Sequence, residues 1–567
     1  MSLSAPILAA LAVSAAGAGG LHVKVPMRDG VKLCANVFVP KGGGRFPTIL
    51  IRTPYNKGRS AGGYQTFVDH GFAVVVQDVR GKHHSEGVFD PLFQEGPDGS
   101  DTLDWIARQP WSNGEAGMLG GSYLGIAQWR VAVLNNPHLK AIFPVVSGCD
   151  EYRDRFYSRG GAFKLGHRLQ WMAENMRATN HRMPAFWEIV QHLPLRTADR
   201  VATGLKVEMF QQVMDHPAHD AFWDAISVLD RIHEVRIPVF SVGGWYDNYV
   251  QSDLEAFSRL RPKTRASWIV VGPWTHNISS PVKTLDFGPH ALIPLRSYQL
   301  EWFEYWLKTA PAQRANRPFP YPPARIFIMG ENRWREEKEW PLARTREVRY
   351  FLTSRRGANS LEGDGALTRH AARHVSADRY IYDPRDPVPT MGGAVCCNEK
   401  VFPWGPMDQR PVERRRDVLV YTSQPLRSDL EVTGTVTVTL YVSTSAPDTD
   451  FTAKLVDVYP DGRAINLTDG ILRLRYRQSI EKPVTSKPGE VYAITIDAGV
   501  TSNVFKAGHR IRLEISSSNF PRFDRNLNTG RAQADETEMR PANQTVWHGG
   551  ARASYLALPV IPRGGRR

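Results

Sequence analysis

Gly120-Gly121-Ser122-Tyr123-Leu124-Gly125 decides how the rest of the chain is read. The segment follows Ala116-Gly117-Met118-Leu119 and opens the run Ile126-Ala127-Gln128-Trp129-Arg130-Val131-Ala132-Val133. That order predicts a strand, a sharp turn and a helix, with a serine at the tip of the turn. Small residues on both sides suit such a turn, because its backbone is strained and side chains there would clash. A serine held this way projects its hydroxyl into a cleft above a helix N-terminus, whose free N–H groups can stabilise an oxyanion. The general pattern is Gly-x-Ser-x-Gly. Here the closing glycine comes one place late, at Gly125, with Leu124 in its slot. Taken alone, the stretch also reads as a glycine-rich turn carrying an ordinary serine.

Three short apolar runs, Pro47 to Arg52, Ala73 to Gln77 and Gly117 to Gly120, alternate with helical patterns and predict a doubly wound α/β sheet. Val23 to Leu33 predicts a hairpin turning at Asp29-Gly30. Two more strand-like runs, Ile237 to Val242 and Trp268 to Val271, come much later. Between them, residues 150–232 show helical spacing (Phe186, Ile189, Val190, Leu193, then Phe222, Ala225, Ile226, Leu229), which predicts a helical insertion capping the sheet. From residue 346 to 567 period-2 alternation dominates, as in Val436, Val438, Leu440, Val442 and in Ile511, Leu513, Ile515. That predicts a β-sandwich or jelly roll. The layout is therefore an α/β domain (21–149 and 233–345), a cap (150–232), a C-terminal β domain (346–567) and a leader (1–20). About three domains suit a chain of 567 residues.

The formal charge is +14. The basic clusters Arg410 to Arg416 and Arg563 to Arg567 lack interleaved aromatics and read as solvated surface, so no nucleic-acid partner is expected. No apolar run reaches the ~18 residues of a membrane span. Ala5 to Gly20 is apolar, and Ala16-Gly17-Ala18 resembles a signal-peptidase site, but no Lys or Arg precedes Lys24. A cytoplasmic location is preferred over export. Cys34, Cys149, Cys396 and Cys397 are too few for a disulfide framework and have no metal-ligand spacing. The adjacent Cys396-Cys397 is read as a reduced pair, with a vicinal disulfide as the alternative.

A serine hydroxyl needs a base to take its proton and a carboxylate to orient that base. The hydrolase order Ser, Asp, His is met at two late strand ends. Ile237 to Val242 leads into Gly243-Gly244-Trp245-Tyr246-Asp247, and Trp268 to Val271 into Gly272-Pro273-Trp274-Thr275-His276. Ligands of open α/β sheets bind beyond the carboxyl ends of the strands, which places Ser122, Asp247 and His276 at one edge.

With these motifs in hand, the chain resembles the X-prolyl dipeptidyl peptidase (S15)/cocaine esterase family of serine hydrolases, the CocE/NonD type. The resemblance rests on Met27-Arg28-Asp29-Gly30-Val31, Arg52-Thr53-Pro54-Tyr55, Gln77-Asp78-Val79-Arg80-Gly81 and the turn Gly120 to Gly125. It continues through both late strand ends to Asp408-Gln409-Arg410 and Tyr421 to Leu426. It implies an α/β-hydrolase fold with an inserted helical cap and a jelly-roll C-terminal domain. It further implies Ser122 as nucleophile, His276 as base, Asp247 as its orienter, and the Tyr55 hydroxyl and Tyr123 backbone N–H as oxyanion donors. Phe156, Trp171 and Tyr249 fall at the family's aromatic acyl-pocket positions.

The expected activity is hydrolysis of small-molecule carboxylic esters, or amides, through an acyl-enzyme. No metal or organic cofactor is required, and the rate should rise with pH as the base loses its proton. Alternatives are an X-Pro dipeptidyl aminopeptidase, a β-lactam acylase or, remotely, a non-catalytic binding protein on the jelly roll; a homo-oligomer is compatible with all of them. Two departures matter. Lys82-His83-His84 follows Arg80-Gly81, either adding basic groups at the cleft rim or forming a solvated loop. Asn248-Tyr249-Val250 follows Asp247 without the acids that relatives use to grip an ammonium, and Asp154 alone is left to supply one. An unmatched ammonium in a desolvated pocket is costly, which weighs against α-amino acyl substrates.

Overall fold

The computed structural model describes residues 20–562, apart from residues 265 and 397. The leader up to residue 19 and the basic tail from Arg563 lie outside the described residues.

Ten strands form the first sheet: β1 (Leu21–Pro26), β2 (Lys32–Phe38), β3 (Phe46–Thr53), β4 (Ala73–Asp78), β5 (Ser112–Gly121), β6 (Leu139–Val145), β7 (Val239–Gly244), β8 (Ser267–Gly272), β9 (Ala324–Ile328) and β10 (Arg333–Glu337). Their order is β1-β2-β4-β3-β5-β6-β7-β8-β9-β10. The pairs from β4 through β9 are parallel, and antiparallel pairs close both ends. Every residue of β4 is buried, as a run of β-branched residues covered on both faces requires.

The carboxyl ends of β3, β5, β7 and β8 present Tyr55, Ser122, Asp247 and His276. Helix α1 (Glu95–Ala107) packs beside α2 (Tyr123–Ala132), which leaves β5 through Ser122. The cap runs from Glu151 through α3 (Leu165–Asn175) to Ala221–Ile226, and α4 (Val250–Thr264) follows β7. Of the residues at helical spacing, Phe186, Ile189, Val190 and Ile226 are buried in a core that the cap shares with both neighbouring domains, whereas Ala225 is exposed and Leu229 packs into the core of the first sheet.

The second sheet has eleven strands, from Arg346–Thr353 to Tyr555–Ile561. Leu430–Thr444 pairs with Tyr492–Phe505 along one edge and with Ala542–His548 and Tyr555–Ile561 along the other. Val436, Val438, Leu440, Ile511, Leu513 and Ile515 meet in one core, as alternation predicts. The cap is tied to this domain through buried Asp524, which accepts from the Phe163 N–H at 2.9 Å and from Arg473 at 2.8 Å.

The sequence reading contains no strand at β6, β9 or β10. A proline inside a short apolar run argues against a central strand, yet Pro144 sits in β6 opposite Gly120. The ladder to β7 accommodates it by registering at Ile142–Val239 and Val145–Val242 and skipping the residues between. Cys396 is disulfide-bonded, contrary to the reduced pair expected; Cys397 lies outside the described residues. Cys34 and Cys149 are free and buried. No helix among the described residues is long and apolar enough to cross a membrane.

Candidate active site

Ser122 has φ 56° and ψ −124°, a conformation that non-glycine residues rarely adopt. Its N–H donates to the Val145 carbonyl of β6 at 2.9 Å, which pins the turn to the neighbouring strand. Gly120 has φ 140°, and a Cβ there would lie 2.5 Å from that of Leu124. The displaced glycine has its own cause. A Cβ on Gly125 would stand 2.5 Å from the Ser147 Cβ. Helix α2 therefore approaches the chain beyond β6 too closely for any side chain at that position. Tyr123 opens α2, and its backbone N–H has no acceptor within the helix.

Beneath the turn, the Tyr123 hydroxyl donates to Glu95 at 2.8 Å. Glu95 pairs with Arg52 at 2.5 Å, and Arg52 also donates to Gln77 at 2.9 Å. Two of the sequence motifs thus meet in one buried network. Arg80 from the same loop bridges Asp98 and Asp29. Lys82 donates to the Asn175 carbonyl at the end of α3, and His83 lies 3.0 Å from the Pro54 carbonyl. The Lys82-His83 segment therefore ties the loop to the cap and to the Tyr55 segment.

His276 Nδ1 lies 2.6 Å from Asp247 Oδ2, and Asp247 Oδ1 accepts the Tyr249 N–H at 3.0 Å. Asp247 is fully buried and His276 nearly so. Behind them, the Asp253 carboxyl is pushed well above the usual carboxylate range by burial and then by Asp247. The Tyr55 hydroxyl accepts the Trp171 indole N–H at 3.1 Å, and Tyr55 lines one cavity with Ser122. Indole only donates, so the Tyr55 proton stays free to point at a second acceptor. Burial pushes the Tyr55 phenol up and keeps it protonated.

A small cavity opens at Ser122. Tyr55, Tyr123, Phe156, Trp171 and Tyr249 all line it, and the Trp171 ring stacks parallel to Tyr123 at 5.9 Å. The His276 ring meets Tyr249 at 5.8 Å. Asp154 does not reach this cavity. It accepts the Ser252 N–H, pairs with Arg159 at 3.7 Å, and faces a second space behind Asp247.

Sequence reasoning missed Arg155 and Arg168, both buried and both lining the Ser122 cavity. The signals were the i,i+4 pair Glu151–Arg155 and the i,i+3 pair Arg168–Trp171, the second placing a cation beside a cavity aromatic. His219, Asp224 and Asp230 converge outside the site, but Asp230 is already neutralised by Arg153 and Arg259.

The class that this architecture and this turn define is the α/β hydrolase of the serine type. The X-Pro dipeptidyl-peptidase (S15 family) model matches residues 29–277, and that of the X-Pro dipeptidyl-peptidase C-terminal non-catalytic domain matches residues 318–557. The chain is 39% identical to the cocaine esterase of Rhodococcus sp. (strain MB1 Bresler), over 96% of this chain and 98% of that one. A solved aminopeptidase from a marine sediment archaeon (Thaumarchaeota) superposes with a TM-score of 0.82 at 26% identity, covering 99% of both chains. A solved α-amino acid ester hydrolase gives 0.81 at 25% identity, covering 99% of this chain and 100% of that one. The chain belongs to the S15/cocaine esterase (CocE/NonD) family of serine hydrolases.

Two outcomes follow from the geometry. Gly125→Ala should cost about 1–3 kcal/mol of stability and lower kcat by roughly tenfold or more as the turn shifts. Ser147→Gly in the same chain should restore both, because Ser147 supplies the clash; a double variant no better than the single would contradict this. Lys164, buried beside the second space, is held down to about 7 by burial. Between that value and the ordinary lysine range near ~10.4 the unfolded chain binds more protons than the folded one, so this group makes stability rise with pH there. Urea midpoints measured from pH 7 to 10 should rise less steeply in Lys164→Met than in the unaltered protein, and equal slopes would refute the assignment.

Proposed function

We propose that this enzyme hydrolyses small carboxylic esters through an acyl-enzyme on Ser122. The observation that carries the reading is the 2.6 Å contact between His276 Nδ1 and Asp247. A carboxylate there holds the proton on Nδ1 and leaves the Nε2 lone pair as the base. Ser122 Oγ attacks the ester carbonyl carbon as its proton passes to Nε2. The carbonyl oxygen becomes an oxyanion between the Tyr55 hydroxyl and the Tyr123 N–H. Collapse breaks the C–O bond, and the leaving alkoxide takes the proton from Nε2. Water then repeats the sequence, giving the free acid and restoring Ser122.

Trp171 is a positioning residue in this scheme. By occupying the Tyr55 oxygen from one side, it leaves the phenol proton free to be donated to the oxyanion. Aminopeptidase or β-lactam acylase activity would require a site for an ammonium. The cavity instead carries two guanidinium groups, and Asp154 is engaged elsewhere. This favours esters without an α-ammonium group.

Ser122→Ala should abolish turnover of aryl esters and labelling by a fluorophosphonate probe. Tyr55→Phe should lower kcat by about 100- to 1,000-fold with little change in KM, the signature of a donor used in the transition state. A Ser122→Ala protein that retained turnover, or exclusive cleavage of X-Pro anilides by the unaltered enzyme, would contradict the proposal.

A further inference from the structure

The Ser122 cavity holds one more cation than it has acids to balance. Arg155 is accounted for: its Nε pairs with Glu151, Nη2 donates to the Ser147 carbonyl at 3.0 Å, and Nη1 donates to the Tyr249 hydroxyl at 2.8 Å. Arg168 is different. It projects from α3 into the same cavity and is only 6% exposed. Its Nη2 donates to the Tyr249 hydroxyl at 3.0 Å and lies against the His167 ring, 2.6 and 2.7 Å from the two nitrogens. The guanidinium stacks over Phe156 at 5.6 Å. Its Nε is buried without a hydrogen-bond partner. Among the described residues no carboxylate lies within salt-bridge distance of it, and the Glu151 charge is already committed to Arg155.

A guanidinium does not shed its charge at physiological pH. Its surroundings add no compensation: His167 is held well below the usual histidine range by burial and by Arg168 itself, so it stays neutral. A buried charge without a counter-ion is strongly unfavourable, and a partner that arrives from outside relieves it. The planar fork of an arginine matches a carboxylate by two parallel hydrogen bonds, and the free Nε supplies one side of that fork.

We propose that Arg168 receives a carboxylate carried by the substrate, so that the preferred ester is an anion. The inference rests on the esterase reading and specifies its substrate class. The carboxylate sits either on the acyl chain, as in a hemi-ester of a short dicarboxylic acid, or on the alcohol, as in a carboxyphenyl ester. The narrow cavity around Ser122 restricts both to small molecules. The same cation repels an ammonium at that place.

A purely structural role for Arg168, holding Tyr249 against His276, would alter every substrate by the same factor. Selectivity separates the two. The value of kcat/KM is compared for mono(4-nitrophenyl) succinate against 4-nitrophenyl butyrate (acyl arm), and for 3-carboxyphenyl butyrate against phenyl butyrate (alcohol arm). The unaltered enzyme should favour the anion on one arm, which locates the carboxylate. Arg168→Met should lower the anionic-to-neutral ratio on that arm by about ten- to a hundredfold, the worth of a hydrogen bond to a charged group. Arg168→Lys, which keeps the charge and loses the fork, should lower it less, and it carries the test should the methionine variant not fold. Neutral preference on both arms, or a ratio unchanged by the substitution, overturns the proposal while leaving the esterase reading intact. A readout without turnover completes the test. Ser122→Ala protein should bind succinate or benzoate by calorimetry, and adding Arg168→Met should remove the binding. If that holds while no ester is cleaved by the unaltered enzyme, the anion site stands and the esterase reading falls. If neither acid binds, the anion site falls.

Discussion

A serine at φ 56° is held against its own preference, and most of the site's geometry follows from how that is done. Such backbone conformations cost about 1–3 kcal/mol and persist only where the surroundings over-determine them. Here the surroundings are the Val145 carbonyl that fixes the Ser122 N–H, the glycines that let the chain turn, and the Ser147 side chain that occupies the space a residue 125 side chain would need. The turn brings Ser122 to the cavity wall, and the first N–H of α2 has no acceptor within its helix.

The motif residues away from the turn serve mainly to hold this arrangement. Arg52, Glu95, Gln77 and the Tyr123 hydroxyl form a buried chain joining β3, β4, α1 and α2. Because Tyr55 follows Arg52 on the same strand exit, the network that anchors the Ser122 turn also sets the position of the phenol. The cap contributes from the opposite side through Trp171, whose indole orders the Tyr55 oxygen, and through the Arg155–Tyr249–Arg168 cluster beside His276. Sheet and cap each supply part of the proposed oxyanion site, and the C-terminal domain fastens the cap through Asp524.

The fold was readable where one periodicity ran undisturbed. Apolar runs such as Ala73 to Val76 and alternating runs such as Val436 to Val442 became strands because no competing signal interrupted them. Strand β6 was hidden by Pro144, and its existence depends on a register that only the assembled sheet supplies. The Ser, Asp and His positions stood out because each ends a strand. The buried arginines did not, because within a helix Arg168 reads as surface, and only the packing of Phe156, His167 and Tyr249 around it removes it from water. The disulfide at Cys396 stood only as the alternative to a reduced pair, since adjacency of cysteines does not fix their redox state.

The most direct measurement of the central claim is to trap the covalent intermediate. The enzyme is acid-quenched during steady-state hydrolysis of an activated aryl ester, digested, and its peptides weighed. The account requires one acyl adduct, on the peptide carrying Ser122, that disappears once substrate is exhausted. An adduct on another residue, or rapid hydrolysis with no adduct at any time, would contradict it.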